Sequence, residues 1–262
     1  MDLTVDGKSV YAGTGGAAFD GARPCVVFIH GAGMDHTVWA LQTRYFAHHG
    51  NSVLAVDLPG HGRSEGPALD SVVSMADWTS RLIEAAGVAQ AALVGHSMGA
   101  IAALAAAARR PERVRRLALL GATLAIPVHP DLLAATRDDP ALAIQFIVSW
   151  AYGPRAHLGG MRAPGLWMLA GGQRLLERDA ASVLATDFAA CDAYEGGLDA
   201  AAKVACPTLI LCGGQDRMTP KRNAEALRAA IADARLEIIA DGGHMMMIEE
   251  PDQTLDALKA FL

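Results

Sequence analysis

Short apolar runs alternate with helical stretches along much of this chain, and this alternation limits its possible folds more than any other feature. Each run is continuous and has the length of a buried strand. The four clearest runs are Cys25–Ile29, Ser52–Val56, 91–94 and Val114–Leu120. A strand, a helix and a second strand form a unit in which the two strands are parallel. The pattern therefore predicts an α/β fold with a mostly parallel sheet and helices on both faces.

The alternation stops in the middle of the chain. Residues 123–203 contain no clean buried strand, and their pattern predicts helices over 141–150, 165–177 and 180–190. Strands are predicted again over 207–211 and 235–239, and a last helix over 251–262. Two short segments around Asp6-Gly7 predict an N-terminal hairpin. We therefore expect a core of residues 1–122 and 204–262, interrupted by a helical insertion of residues 123–203.

Composition excludes several classes of protein. Apolar residues make up 52% of the chain, which is too much for an intrinsically disordered protein. The net charge of −6 comes with no block of Lys or Arg, so we expect no nucleic-acid partner and no anionic membrane surface. The longest apolar run, 98–108, is about half the ~20 residues of a membrane span. The first residues lack the regions of a signal peptide, so we expect a cytoplasmic protein.

The pentapeptide Gly-His-Ser-Met-Gly at 95–99 lies between a predicted strand and an alanine-rich helix. A serine on such a turn has a strained backbone and is presented at the edge of the sheet, and the flanking glycines allow the close approach. The amides at the start of the following helix favour negative charge beside it. Ser97 is therefore a candidate nucleophile; the alternative is an ordinary serine in an N-capping turn.

A serine nucleophile needs a base, and the base needs an acid that orients it. His244 is the candidate base, because it lies in a glycine-bearing loop between the last strand and the last helix. Asp216 is the candidate acid, because it follows the strand over 207–211. A solvated loop histidine and a helix N-cap are the alternatives for these two residues. Glu249 and Glu250 are nearer to His244 in sequence, but they are placed at the start of the closing helix.

The small residues after the first buried strand permit a tight turn beneath a substrate carbonyl. In this loop the backbone amide of Ala32, together with that of Met98, could bind an oxyanion. His30, Gly31 and Gly33 are expected to lie at the pocket. A tight turn without a catalytic role is the alternative.

The insertion contains aromatic residues that could line an apolar pocket beneath it. Trp150 and Trp167 are the candidates, and packing between helices explains them about equally well. Four arginines of the insertion could meet a substrate carboxylate, although solvated charges are the simpler interpretation: Arg155, Arg162, Arg174 and Arg178.

By their content and order, five motifs resemble those of the α/β-hydrolase fold family: residues 30–33, 57–64, 95–99, 214–216 and 243–244. The resemblance covers essentially the whole chain. It implies a sheet of about eight strands with a helical cap inserted after the sixth, where residues 123–203 fall. It also implies that Ser97, Asp216 and His244 form a catalytic triad.

Two departures narrow the expected activity within that family. Dehalogenases and epoxide hydrolases resembling this chain carry Asp where Ser97 stands, and carbon–carbon bond hydrolases of the meta-cleavage type usually carry Trp where Met245 follows the histidine. We therefore expect hydrolysis of a small carboxylic ester or lactone through an acyl-enzyme. The alternatives are carbon–carbon bond hydrolysis, acyl transfer, and a non-catalytic small-molecule receptor.

Cofactor motifs are weak or missing in this chain. The glycine-rich segment 13–18 imitates a dinucleotide fingerprint, but no helix follows it. There is no P-loop and no cluster of ligands at metal spacing, and the four cysteines show no C-x-x-C pair. We therefore expect no cofactor and no metal. The sequence leaves the oligomeric state open between a monomer and a homodimer.

Overall fold

An eight-stranded sheet forms the centre of the computed structural model, which describes residues 1–160 and 167–262. The spatial order is β1-β2-β4-β3-β5-β6-β7-β8. The first two strands form an antiparallel hairpin, and β3 to β8 are parallel. The strands are β1 (Asp2–Val5), β2 (Lys8–Gly13), β3 (Cys25–Ile29), β4 (Ser52–Val56), β5 (Ala91–His96), β6 (Val114–Leu120), β7 (Thr208–Gly213) and β8 (Ala234–Ile239). The predicted fold class is confirmed.

Helices cover the sheet on both faces, and this explains why the central strands have no polar alternation. In the described ranges they are α1 (Ala40–His48), α2 (Val72–Ala85), α3 (Met98–Arg109), α4 (Pro130–Asp138), α5 (Pro140–Ala151), α6 (Pro154–His157), α7 (Met168–Asp192), α8 (Gly197–Lys203), α9 (Lys221–Ala230), α10 (Met246–Glu249) and α11 (Pro251–Phe261). α1 packs with α11, and α2, α3, α8 and α9 form a continuous layer. No helix of the described residues is long and apolar enough to cross a membrane.

The segment between β6 and β7 is helical in its described residues, and it differs from the prediction at α4 and α7. α4 had not been predicted, although Pro130 at its first turn and the side chain of His129 before it are ordinary start signals. α7 is one continuous helix where two were predicted, because no Gly or Pro interrupts the chain around Ala180. The predicted helix over 165–177 begins at Gly165 and Leu166, which lie outside the described residues. α4, α5 and α7 pack on one another, whereas α8 packs against α3 and α9.

The turn between β5 and α3 allows a test of the close packing around it. A Cβ on Gly99 would lie 2.4 Å from the carbonyl oxygen of His30 and 2.5 Å from that of Ile29. We expect Gly99→Ala to lower the free energy of unfolding by about 1–3 kcal/mol or more, since backbone atoms cannot yield cheaply.

Gly171→Ala is the matched control for this test. Gly171 lies within α7 and a Cβ there would meet nothing within 4 Å, so alanine should stabilise the protein by roughly 0.5–1 kcal/mol. Urea unfolding measures both variants. Equal free energies of unfolding in the two variants would contradict the packing described for this turn.

Candidate active site

Ser97 stands at the turn between β5 and α3 with a left-handed backbone. Its φ is +52° and its ψ is −116°, a region that residues other than glycine rarely adopt. Its amide donates to the carbonyl of Leu120, 2.9 Å away. Strain that the surrounding structure holds in place is typical of functional sites. Ser97 is partly exposed, and it lines a mostly apolar cavity.

Asp216 is buried in the loop that follows β7, where four donors converge on its carboxylate. Oδ1 accepts the amides of Met218 and Thr219, each at 2.8 Å. Oδ2 accepts the Thr219 hydroxyl at 2.7 Å and Nδ1 of His244 at 2.8 Å. Burial raises the pKa of Asp216, but the charge of His244 and these hydrogen bonds outweigh it and lower the pKa on balance. The carboxylate therefore stays ionised near neutral pH.

His244 lies between Asp216 and the cavity that Ser97 also lines. Because its Nδ1 faces the carboxylate, the proton of the neutral ring is assigned to Nδ1, which leaves Nε2 as the acceptor that a general base needs. Its backbone is held from two sides. The amide donates to Ala151 at 2.8 Å, and the carbonyl accepts Nε2–H of His96 at 3.0 Å. Burial lowers the pKa of His96 to about 3, so His96 remains neutral.

The two glutamates near His244 in sequence have other contacts. The carboxylate of Glu249 accepts the amides of Gly153, at 2.7 Å, and Met245, at 3.1 Å. Glu250 pairs with Arg155 at 2.8 Å. The structure therefore brings Asp216 to the imidazole, and it uses Glu249 to hold the backbone around His244.

The loop after β3 is held by hydrogen bonds at Gly33 and Met34, and neither of them uses the amide of Ala32. The amide of Met34 donates to the Gly31 carbonyl at 3.2 Å, and that of Gly33 donates to Asp187 at 2.8 Å. The amide of Ala32 has no hydrogen-bond acceptor within residues 1–160 and 167–262. Ala32 lines the same cavity as Ser97 and His244.

His30 supports this loop and is not a pocket residue. Its side chain is fully buried, its Nδ1–H donates to the Gly31 carbonyl at 2.8 Å, and its Nε2 accepts the Leu58 amide at 3.0 Å. Burial lowers the pKa of His30 to about 4, so the ring is neutral. The prediction that His30, Gly31 and Gly33 line the pocket is wrong, because their atoms are used to fix the shape of the loop.

Met98 is the first residue of α3, and its side chain is fully buried. The first amides of a helix have no intrahelical acceptor. The amide of Met98 therefore remains available directly beside Ser97, while its side chain belongs to the core.

The cavity has a volume of about 310 Å³ and mostly apolar walls. Ser97, His244 and Ala32 lie on the sheet side, and Ile147, Trp150 and Phe188 come from α5 and α7. The Trp150 ring stacks on Phe146 with 5.2 Å between centroids, which fixes its orientation. The cavity therefore suits a small and largely apolar molecule.

Trp167 does not take part in this cavity. It is 64% exposed and lines a different, shallow groove together with Tyr152 and Leu175. The prediction for Trp167 is wrong because it precedes the first turn of α7, whereas the α7 residues that line the cavity, Phe188 and Cys191, are near the other end of this helix.

Three of the four insertion arginines are paired with acids. Arg155 contacts Glu250, Arg174 contacts Glu177 and Arg178 contacts Asp35, and Arg162 lies outside the described residues. Arg217 was missed as a cavity residue. The sequence signal that could have identified Arg217 is its position directly after Asp216, the candidate acid.

One group of potential metal ligands occurs in the described part of the chain: Asp35, His36 and Asp57. Its carboxylates already accept hydrogen bonds or contact cations. Asp57 accepts the backbone and ring N–H groups of His36 and the amide of Arg63, and Asp35 accepts from Thr37 and contacts Arg178. This donor set favours a hydrogen-bonded network over a cation site.

The sheet topology and the helices on both faces define an α/β-hydrolase fold. A sequence model of the alpha/beta hydrolase family matches residues 26–257, and the chain belongs to this family. Its relatives include the pimeloyl-acyl-carrier-protein methyl ester esterase of Aromatoleum aromaticum, 29% identical over 88% of this chain and 94% of that protein. The protein is a hydrolase.

Solved structures share the fold over the whole chain. The enol-lactonase from Burkholderia xenovorans LB400 superposes with a TM-score of 0.88 at 24% identity, covering 100% of this chain and 99% of that one. Est816, described as an N-acyl homoserine lactone degrading enzyme, superposes with a TM-score of 0.84 at 26% identity, covering 100% of both chains.

The contacts of His244 predict a defined pH dependence. If Nε2 of His244 accepts a proton during hydrolysis, activity should fall toward acid pH as the imidazole becomes protonated. Asp216 should not contribute to this loss near neutral pH, because its lowered pKa keeps that carboxylate ionised. Asp216→Asn should lower kcat at least about 100-fold, since the neutral amide no longer stabilises the imidazolium.

Glu249→Gln is the matched control, because it removes a carboxylate near His244 and leaves every contact between Asp216 and His244 in place. Glu249 accepts the Gly153 and Met245 amides on separate oxygens, so the glutamine oxygen keeps one of these two bonds. The variant should retain most of the activity and the same fall toward acid pH. Near-normal kcat in Asp216→Asn together with a large loss in Glu249→Gln would show that the acid has been misassigned.

Proposed function

We propose that the protein hydrolyses small carboxylic esters or lactones through an acyl-enzyme at Ser97. The observation that carries this proposal is the common cavity of Ser97, His244 and Ala32, with Asp216 bound behind the imidazole. A strained serine, an oriented base and a free amide at one apolar surface are the groups that acyl transfer requires.

In the proposed reaction, Oγ of Ser97 attacks the substrate carbonyl while Nε2 of His244 takes its proton. The imidazolium that forms is stabilised by Asp216. The amides of Ala32 and Met98 donate to the oxyanion of the tetrahedral intermediate. His244 then gives its proton to the leaving oxygen, and a water activated by His244 hydrolyses the acyl-enzyme.

The cavity supports a small substrate with apolar groups. We propose that residues 123–203 act as the cap of a core made of residues 1–122 and 204–262, with α4, α5 and α7 as the part that covers the site. The names of two relatives support this substrate class, since one is a methyl ester esterase and another degrades a lactone. Esters and lactones present the same carbonyl to the serine, so one mechanism serves both.

A non-catalytic receptor on the same fold is the less favoured function. Left-handed backbone at a serine costs roughly 1–3 kcal/mol, and a buried, hydrogen-bonded carboxylate such as Asp216 gains little stability over apolar packing. A binding protein would gain nothing from either feature. Carbon–carbon bond hydrolysis and acyl transfer would use the same residues, and product analysis distinguishes them from ester hydrolysis.

The nucleophile assignment predicts covalent labelling at one residue. A small alkyl phosphonate probe should add once to the protein, and peptide mass analysis should place the adduct on Ser97. Ser182→Ala, which removes an exposed serine of α7, should label like the wild type. His244→Ala should label far more slowly. An adduct at another residue would contradict the assignment.

The cavity walls predict how substrate preference changes on mutation. Trp150→Ala should raise KM for bulky esters, relative to KM for the acetate ester, about 5- to 30-fold. This is the equivalent of ~1–2 kcal/mol of lost apolar contact. kcat for the acetate ester should change little, because the tryptophan contributes to substrate binding and not to stabilisation of charge in the transition state.

Trp167→Ala is the matched control for Trp150→Ala, since its ring lies outside the cavity. Its chain-length profile should equal that of the wild type across a series of p-nitrophenyl esters. The same shift in both variants would contradict the assignment of Trp150 to the substrate wall.

A further inference from the structure

Three charged side chains of α7 reach the loops that follow β3 and β4. Arg178 contacts Asp35 at 2.8 Å, and Asp179 accepts the amide of Gly62 at 2.8 Å. Asp187 reaches deepest. Its side chain is fully buried, and its Oδ2 lies 2.8 Å from the amide of Gly33. α7 therefore holds the loop that carries the candidate oxyanion donor, Ala32.

The partner of Asp187 is a second buried charge, His61. Nε2 of His61 lies 2.8 Å from Oδ2 of Asp187, and Nδ1 lies 3.0 Å from the carbonyl of Pro59. Because both ring nitrogens face acceptors, both carry a proton and the ring is an imidazolium. Burial lowers the pKa of His61, but the charge and hydrogen bond of Asp187 outweigh it and raise the pKa on balance. The two side chains therefore form a buried hydrogen-bonded pair beneath the loop.

The hydrogen bonds of Asp187 are concentrated on one of its oxygens. Oδ2 accepts both Gly33 and His61, while Oδ1 has no hydrogen-bond partner in the described part of the chain. A buried carboxylate with an unpaired oxygen reduces stability. This arrangement is hard to explain by stability, and it directs the acceptor at the loop amide.

The loop has little freedom to move once this contact is made. Gly33 has φ +68°, and a Cβ there would lie 2.4 Å from Cδ2 of Leu184, so α7 lies directly against its backbone. The amides of Gly33 and Met34 are both used. The Ala32 amide therefore remains as the donor at the cavity.

We propose that Asp187 is a positioning residue that aims the Ala32 amide at the substrate oxyanion, with His61 holding its carboxylate in place through a hydrogen bond. The proposal rests on the function proposed above. The next residue of α7, Phe188, lines the cavity. One turn of α7 therefore contributes both an apolar wall of the cavity and the support of the loop that carries the Ala32 amide. Contacts between the substrate and this wall are in this way coupled to the position of the oxyanion donor.

The test compares Asp187→Ala with Asp187→Asn, because asparagine can place an amide oxygen where Oδ2 stands and still accept from Gly33 and His61. Asp192→Ala is the control. Asp192 lies at the end of the same helix and also accepts a backbone amide, that of Val128 at 2.9 Å. Active sites are counted by phosphonate titration at Ser97, so that unfolded protein does not affect the rates.

The decisive readout is the ratio of kcat for an ester to kcat for its thionoester. Sulfur accepts hydrogen bonds more weakly than oxygen, so an ordered oxyanion site favours the ester. We expect Asp187→Ala to lower kcat for the ester about 10- to 100-fold with little change in KM. Its ester to thionoester ratio should fall, whereas the ratios of Asp187→Asn and Asp192→Ala should stay near that of the wild type.

Hydrogen–deuterium exchange of the peptide covering residues 30–34 gives a second readout that needs no catalysis. Exchange should be faster than in the wild type in Asp187→Ala, and it should be unchanged in Asp187→Asn and Asp192→Ala. An unchanged ester to thionoester ratio in Asp187→Ala, or an equal loss in Asp187→Asn and Asp187→Ala, overturns the proposal. A wild-type protein that neither hydrolyses esters nor labels at Ser97 contradicts the proposed function instead, and the exchange measurement still decides whether Asp187 orders the loop.

Discussion

The close approach of α3 to the ends of β3 and β5 is the constraint on which the rest of the structure depends. Gly95 and Gly99 have no side chains, so a helix can begin directly against two strands, with Gly99 beside the carbonyls of Ile29 and His30. Ser97 is held between them at φ +52°. The buried, alanine-rich face of α3 supplies the packing that offsets this strain. The positions of the neighbouring loops follow from this turn.

Charge around the turn is stabilised mainly by backbone amides. Asp216 accepts two of them, Glu249 accepts two, and Asp187 accepts one. Ions away from water need several such donors, and each donor also fixes the loop that carries it. The polar half of the cavity is therefore rigid. The apolar half comes from side chains of α5 and α7 such as Trp150 and Phe188, which accept none of these hydrogen bonds.

The buried strands and the turn at Ser97 were predictable because their signals are local. A strand covered on both faces is a continuous apolar run, and two glycines around a serine between a strand and a helix mark a close approach. The insertion was predicted less well. α4 was missed although His129 and Pro130 mark its start, and α7 was divided in two although no Gly or Pro interrupts it around Ala180. The two tryptophans there could not be ranked, because each fits both a cavity wall and helix packing.

The sequence by itself determined the order of the buried strands, the turn that carries the strained serine, and the loops that carry Asp216 and His244, since each is encoded by residues that are neighbours in the chain. Only the tertiary structure decided that Trp150 lines the cavity, that Trp167 does not, and that His30 supports a loop. It also brought Asp187 to an amide 154 residues away in sequence. The physical reason is that the position of α7 is set by packing against distant segments, and no local pattern records those contacts.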